Sequence, residues 1–207
     1  MPSLRAGALA AALACLTLVS CEVGGAPPVD PAHVALQPGD LPADLLRCPT
    51  SGDLSAFARS LQGPDPAASQ ELVGAWHDLQ HRGAAQAAVT VYAAQAATCA
   101  ARVGTGAGTN LTSIVVRFRD GGAATTAYQR GVLGFATPSE DAEVPDMTRG
   151  AATGFGHDAW VLERSVEGRS LMVGLWERNG ILVLFVAVDA DPLHAKQALS
   201  AVDARIP

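Results

Sequence analysis

Beyond residue 20 the sequence holds no run of about eighteen apolar residues, the length a membrane-spanning helix needs. The longest clean run, "GILVLFVAV" at 180–188, fits a buried strand instead. Excess positive charge is lacking as well. With a formal net charge of −6, the chain has no electrostatic footprint for a nucleic-acid partner or for an anionic lipid surface. Cysteine is scarce, four in 207 residues, and no two form a C-x-x-C pair, which excludes the common zinc and dithiol frameworks. G-x-S-x-G, Walker and S-x-x-K motifs are missing, and no acid pair stands at a spacing that suggests glycosidase chemistry. The expectation is a protein without a cofactor and without a catalytic set.

What is present begins with "AGALAAALACLTLV", residues 6–19, preceded by a single cation, Arg5. The run is too short for a stable membrane span and has the shape of a signal-peptide core. It ends in Leu18, Val19, Ser20 and Cys21, followed by "EVGGAPPVDP". These four residues resemble the bacterial lipobox. The resemblance implies cleavage after Ser20, a lipid with its palmitate-type acyl chains on the Cys21 thiol, and a place on the extracytoplasmic face of the cell membrane. The alternative is ordinary secretion, with cleavage near Ala26. Cys15 fits the lipobox less well, because "ALAC" has no Leu three positions before it. Once residues 1–20 are removed, the net charge is about −7 and the length suits one domain. Cys48 and Cys99 then remain as an even pair in an oxidising compartment, which predicts a disulfide.

Residues 22–43 contain Pro27, Pro28, Pro31, Pro38 and Pro42, a composition that predicts an extended tether. The organisation expected is a signal peptide at 1–20, a tether at 21–43 and a single domain at 44–207. "LPADLLRC" and "GDLSAFARSLQ" predict short helices, the second capped by Asp53, with Leu54, Phe57, Ala58 and Leu61 along one face. "DPAASQELVGAWHDLQHRG" predicts a longer helix with Leu72, Trp76 and Leu79 as its apolar stripe and Gly83 as its stop. Residues 84–101 accept strand or helix; Val89, Val91 and Tyr92 favour a strand near 86–93. "LTSIVVRFRD" alternates as a strand, and "GGAATTAYQRGVLGF" follows as a helix after a glycine turn. "DAWVLERS", "RSLMVGLWE" and "ILVLFVAV" predict an antiparallel meander, its last turn fixed by Asn179-Gly180. "DPLHAKQALSAVDARI" closes the chain as a helix with Asp191 as N-cap, Pro192 at N1, and Leu193, Ala195, Leu199 and Val202 available for burial. The fold class is α+β: N-terminal helices and a mainly antiparallel sheet of about five strands, with a C-terminal meander and a closing helix.

Two stretches invite a chemical reading. "HDLQH" places His77 and His81 at i, i+4 on a helix, where two imidazoles can share a metal. The pattern departs from H-E-x-x-H: Asp78 stands where a Glu would act on metal-bound water, and no third ligand follows at a familiar spacing. At about 100° per residue, both histidines also fall opposite the stripe of Leu72, Trp76 and Leu79, towards solvent. "ATGFGHDAW" sets His157, Asp158 and Trp160 beside two glycines, as a weak ligand site or as a turn leading into a strand with Trp160 packed inward. "VGTGAGTN" precedes a strand instead of opening a helix, so it lacks the geometry of a phosphate loop.

The segments "VYAAQAATC", "VVRFRDGGAATTAY" and "ATGFGHDAW" resemble those of small lipid-anchored extracytoplasmic domains of high-GC bacteria. That resemblance implies an envelope binding or sensor-like role and carries no catalytic residues with it. The expected partners are the membrane, through the lipid on Cys21, and a small ligand or an envelope protein. A metal-dependent hydrolase using His77, Asp78 and His81 and a purely structural envelope component are the alternatives.

Overall fold

A computed structural model of the chain describes residues 28–100, 108–139 and 141–207. In chain order the elements are α1 (Pro31–Val34), β1 (Leu46–Arg47), β2 (Gly52–Asp53), α2 (Leu54–Ser60), α3 (Pro66–His81), β3 (Ala84–Ala93), β4 (Asn110–Phe118), α4 (Gly121–Arg130), β5 (Met147–Arg149), β6 (Ala159–Val166), β7 (Arg169–Arg178), β8 (Ile181–Val188) and α5 (Pro192–Ala204). Short 3-10 turns occupy Pro38–Asp40, Ala96–Ala100 and Gly150–Thr153. The class is α+β, as the hydrophobic patterning predicts. Every strand pairing is antiparallel, in the order β1-β3-β4-β8-β7-β6-β5, with β2 also on the outer edge of β3.

The described sheet has eight strands, not about five. The three additional ones, β1, β2 and β5, are two or three residues long, too short for any alternation to register in the sequence. β1 also replaces the helix predicted at 41–48. Leu46 and Arg47 pair with Ala93 and Tyr92, and the Cys48 N–H donates to the Val91 carbonyl at 2.8 Å. These ladder bonds outweigh the weak helical preference of "LLR". The strand favoured at 86–93 is present and begins two residues earlier.

Both faces of the sheet are covered. On one, α2, α3 and α4 pack over Val89, Ile114, Val116, Leu184, Leu175 and Trp160; on the other, α1 and α5 pack over Leu111, Val115, Val183, Phe185 and Trp176. This explains why β8 is buried along its whole length and why its sequence is a continuous apolar run. Asn179 (φ 53°) and Gly180 (φ 78°) form the two-residue β7–β8 turn, as that dipeptide predicts. Asp53, Asp120 and Asp191 cap α2, α4 and α5 through their carboxylates, and Pro192 opens α5. Leu193 is 63 % exposed; α5 buries Ala195, Ala198, Leu199 and Val202 instead, because Leu193 sits in the first turn on the outward side.

The proline-rich segment expected to be a tether is packed onto the domain in its described part. Val34, Ala35 and Leu36 are fully buried against the α5 face, and the Leu36 N–H donates to Ser113 Oγ at 2.9 Å. Arg205 locks the segment: its guanidinium donates to the carbonyls of Val34 and Ala35 and makes a two-pronged pair with Asp40, at 2.9 and 2.6 Å. Composition pointed to an extended chain, but "HVAL" supplies three apolar residues that the short helix α1 and the turn at Pro38–Asp40 deliver to the sheet. Among the described residues, packing onto the sheet is therefore already present at Val29, ahead of the boundary expected at 44.

Candidate functional site

A recess with a mostly apolar lining lies on the α2–α3 face. Phe57 of α2 and Leu61, one turn later at that helix's C-cap, form one wall, and Ala68, Leu72 and Ala75 of α3 form the next. Ile114 of β4 and Leu184 of β8 make the floor. Ser69 Oγ donates to the Ala58 carbonyl at 2.7 Å, which fixes the crossing of the two helices. Because α3 turns alanines towards this crossing, the wall stands back from the sheet and leaves a cavity of about 470 Å³. That is within the range of roughly 300–1,000 Å³ typical of small-molecule sites. Glu71, an exposed residue of α3, is the one charged group in the lining.

The fourth wall is a strap that follows α4. Val132 and Phe135 exchange backbone hydrogen bonds of 2.9 and 2.8 Å around a two-residue turn at Leu133 (φ 52°) and Gly134 (φ 85°), and Leu133 and Phe135 line the cavity. A leucine in the left-handed region costs on the order of 1–2 kcal/mol, a strain that proteins tend to keep where a site requires it. Gly131 (φ 79°) sets the strap's exit from α4; a Cβ there would lie 2.5 Å from the Phe135 carbonyl oxygen. Further along, Thr137 Oγ1 donates to the Tyr128 carbonyl, and the Ser139 carbonyl accepts from Arg149 Nη1 at 2.7 Å.

The floor of the cavity belongs to one row across the sheet. Ile114 is opposite Leu184, Leu184 opposite Leu175, Leu175 opposite Trp160, and Trp160 opposite Arg149. Directly paired residues point to the same face, so all five lie on the α2–α3–α4 side. At the far end two donors, Trp160 Nε1 and Arg149 Nη2, are shielded from solvent and find no hydrogen-bond partner among the described residues. A buried donor left without a partner costs about 1–3 kcal/mol. Tyr128 of α4 lies over the same region, and burial, then the Asp158 charge, push its hydroxyl up to about 12.

The residues singled out from sequence are distributed differently. His77 and His81 do come together on α3, ring centroids 4.4 Å apart and edge to face, on its solvent side. Asp78 is held by Arg82 at 2.5 Å, and among the described residues no group of three or more His, Cys, Asp or Glu could hold a metal. His157 and Asp158 are 3.0 Å apart, but His157 is 92 % exposed while Trp160 is buried in the core beneath α4. The three therefore do not converge on one surface; Asp158 and Trp160 belong with Tyr128 and Arg149. Cys48 and Cys99 form the expected disulfide, with their Cα atoms 5.3 Å apart. Cys21 lies outside the described residues, as does most of "VGTGAGTN".

Sequence reasoning missed the cavity. Its helical residues carry the same spacing as any core stripe, and nothing in one chain tells a wall from a packed interface. The one local signal is "GVLGF", where two glycines bracket apolar residues directly after a helix.

No family model and no curated protein matches the chain. Among solved structures, the chain is similar to the crystal structure of the extracellular domain of PknH from Mycobacterium tuberculosis, with 12% identity over 87% of this chain and 98% of that one, at a TM-score of 0.43. A likeness of that size is too slight to transfer a site.

Proposed function

We propose that the protein is an envelope lipoprotein, anchored through Cys21, whose domain binds a small apolar ligand between α2, α3 and the sheet. The observation that carries the binding role is the cavity of about 470 Å³, walled almost entirely by apolar side chains and closed on one side by a strained strap. The anchoring rests on the signal-like run and the LVSC sequence, and the Cys48–Cys99 bridge suits an exported domain. Val29 is packed against the α5 face, so the eight residue steps from Cys21 can reach at most about 28 Å. The lipid would hold the domain against the membrane, not far out in the envelope. No catalytic role enters this reading: Asp78 is engaged by Arg82, and His77 and His81 face solvent without a third ligand among the described residues.

The test is titration with an uncharged, environment-sensitive aromatic dye. The wild-type domain should bind one dye per chain, and Ala75→Trp, which fills the cavity from α3, should abolish binding while keeping the wild-type melting temperature. Absence of dye binding, or binding that survives Ala75→Trp, overturns the cavity reading. Export of wild type and Cys21→Ala followed by detergent partitioning tests the anchor: only wild type should enter the detergent phase.

A further inference from the structure

The apolar recess does not stand alone on α3. A second recess, of about 310 Å³, adjoins it, and Ala75, Leu133, Gly134 and Phe135 line both. We propose that Leu133 limits ligand length: it divides one groove along α3, so that an unbranched alkyl chain fills the larger recess and stops at the Leu133 side chain. The inference rests on the reading of that recess as a binding site and adds the shape of what fits it and the residue that sets the limit.

The direction of the groove follows from α3. Ala68 and Leu72 line the first recess, Leu79 the second, and Ala75 both. These four stand at i, i+4, i+7 and i+11, a single stripe of the helix. At 1.5 Å per residue the stripe is about 16 Å long, with Ala75 about 10 Å from one end and about 6 Å from the other. Two recesses in line on one stripe suit an extended chain better than a compact or branched ligand.

The divider follows from the turn. Residues that line both recesses stand at their boundary, and there α3 offers only the methyl group of Ala75. The strap supplies the bulk. Leu133 and Gly134 both have positive φ, as the central residues of a two-residue type I′ turn do, a geometry that favours Asn, Asp or Gly at the first position. Glycine at 133 would form the turn without strain. Leucine there adds strain and a branched side chain, half-buried and packed against the core under α2, α3 and α4. The turn has no need of that side chain; the boundary between the two recesses does. The divider is also pinned at its base. The Gly131 N–H, at 3.1 Å, and Thr137 Oγ1 both donate to the Tyr128 carbonyl, and Val132 and Phe135 pair across the turn. A chain growing along the groove therefore meets a fixed obstacle, and the limit in length is sharp.

The experiment titrates a homologous series of 1-alkanols into the wild-type domain and its variants by calorimetry, with melting temperatures as the check on folding. In wild type the affinity should rise about fourfold per added methylene, the gain from burying one CH₂, and level off at one chain length. Leu133→Gly should hold the short alkanols within about twofold of wild type and carry the rise several methylenes further. Adding Ala136→Trp to that variant, which fills the second recess, should bring the wild-type limit back. Leu133→Phe, which extends the divider, should move the limit to a shorter chain. A wild-type series with no limit, the same limit in Leu133→Gly and Leu133→Phe, or an extended limit that survives Ala136→Trp overturns the inference while the recess reading stands. Failure of every alkanol to bind wild type overturns both.

Discussion

Breaking the Cys48–Cys99 bridge perturbs the candidate site more than any other part of the fold. The two residues are 51 positions apart, and the loop they close contains β2, α2, α3 and β3, hence two of the cavity's walls. Chain-entropy bookkeeping for a loop of about 52 residues gives roughly 4 kcal/mol of stabilisation through the unfolded state. For a domain of this size, each kcal/mol moves the melting temperature by about 2–4 °C, so reduction should lower it by about 8–16 °C. The loss should also be uneven. Outside the bridge, α2 and α3 are held by the covalent chain, by the burial of Leu54, Phe57, Trp76 and Leu79, and by the Ser69–Ala58 bond. The β6–β7–β8 meander is held by continuous ladders. Scanning calorimetry of oxidised protein, reduced protein and a Cys48→Ser/Cys99→Ser variant measures the shift, and limited proteolysis locates it. Cuts should appear at 49–82 before any within 159–188. A shift under about 2 °C with both thiols shown free by mass, or first cuts in the meander, would refute the reasoning.

Arg205→Ala removes the clamp on the N-terminal segment and strands the Asp40 carboxylate, which is 8 % exposed; a loss of about 2–4 kcal/mol is expected by urea denaturation, with Arg205→Lys recovering only part. Both tyrosines of the chain have raised hydroxyls, Tyr92 mainly through burial and Tyr128, pushed up to about 12, through burial and then Asp158. The folded state holds these protons more tightly than the unfolded chain does. Stability from Tyr128 is therefore fully present below pH 10 and is lost as pH rises towards about 12, by about 2–3 kcal/mol at most, and Tyr128→Phe should flatten that slope in alkaline denaturation curves. Gly131→Ala drives a Cβ into the Phe135 carbonyl and should weaken ligand binding more than it lowers the melting temperature, as parallel titration and melting would show.

Local chemistry made much of the fold legible. Asp53 and Asp191 cap helices, Gly83 ends one, and Asn179-Gly180 turns a hairpin, because each acts within a few residues of itself. The strands of two or three residues were not legible, since their existence depends on partners far along the chain. Residues 30–41 misled for the opposite reason: proline content outweighed three apolar residues whose burial depends on Arg205, some 170 positions away. The cavity was hidden because it is made by what α3 withholds. Alanines at 68 and 75 look the same in sequence whether they meet a neighbour or leave a space. Trp160 was singled out for its neighbours His157 and Asp158, yet its partner on the row is Arg149, which only the β5–β6 register reveals.

The account turns on whether an apolar ligand enters between α2, α3 and the strap. A photoactivatable alkyl probe carrying a diazirine at its chain end, crosslinked to the oxidised domain and mapped by peptide mass spectrometry, asks this most directly. Labelling should concentrate on Phe57 and Leu61, on Leu72 and Ala75, and on Leu133 and Phe135, and should vanish in Ala75→Trp. Labelling spread instead over the exposed apolar residues Leu46, Val73, Val166 and Leu193, unchanged by Ala75→Trp, would contradict it.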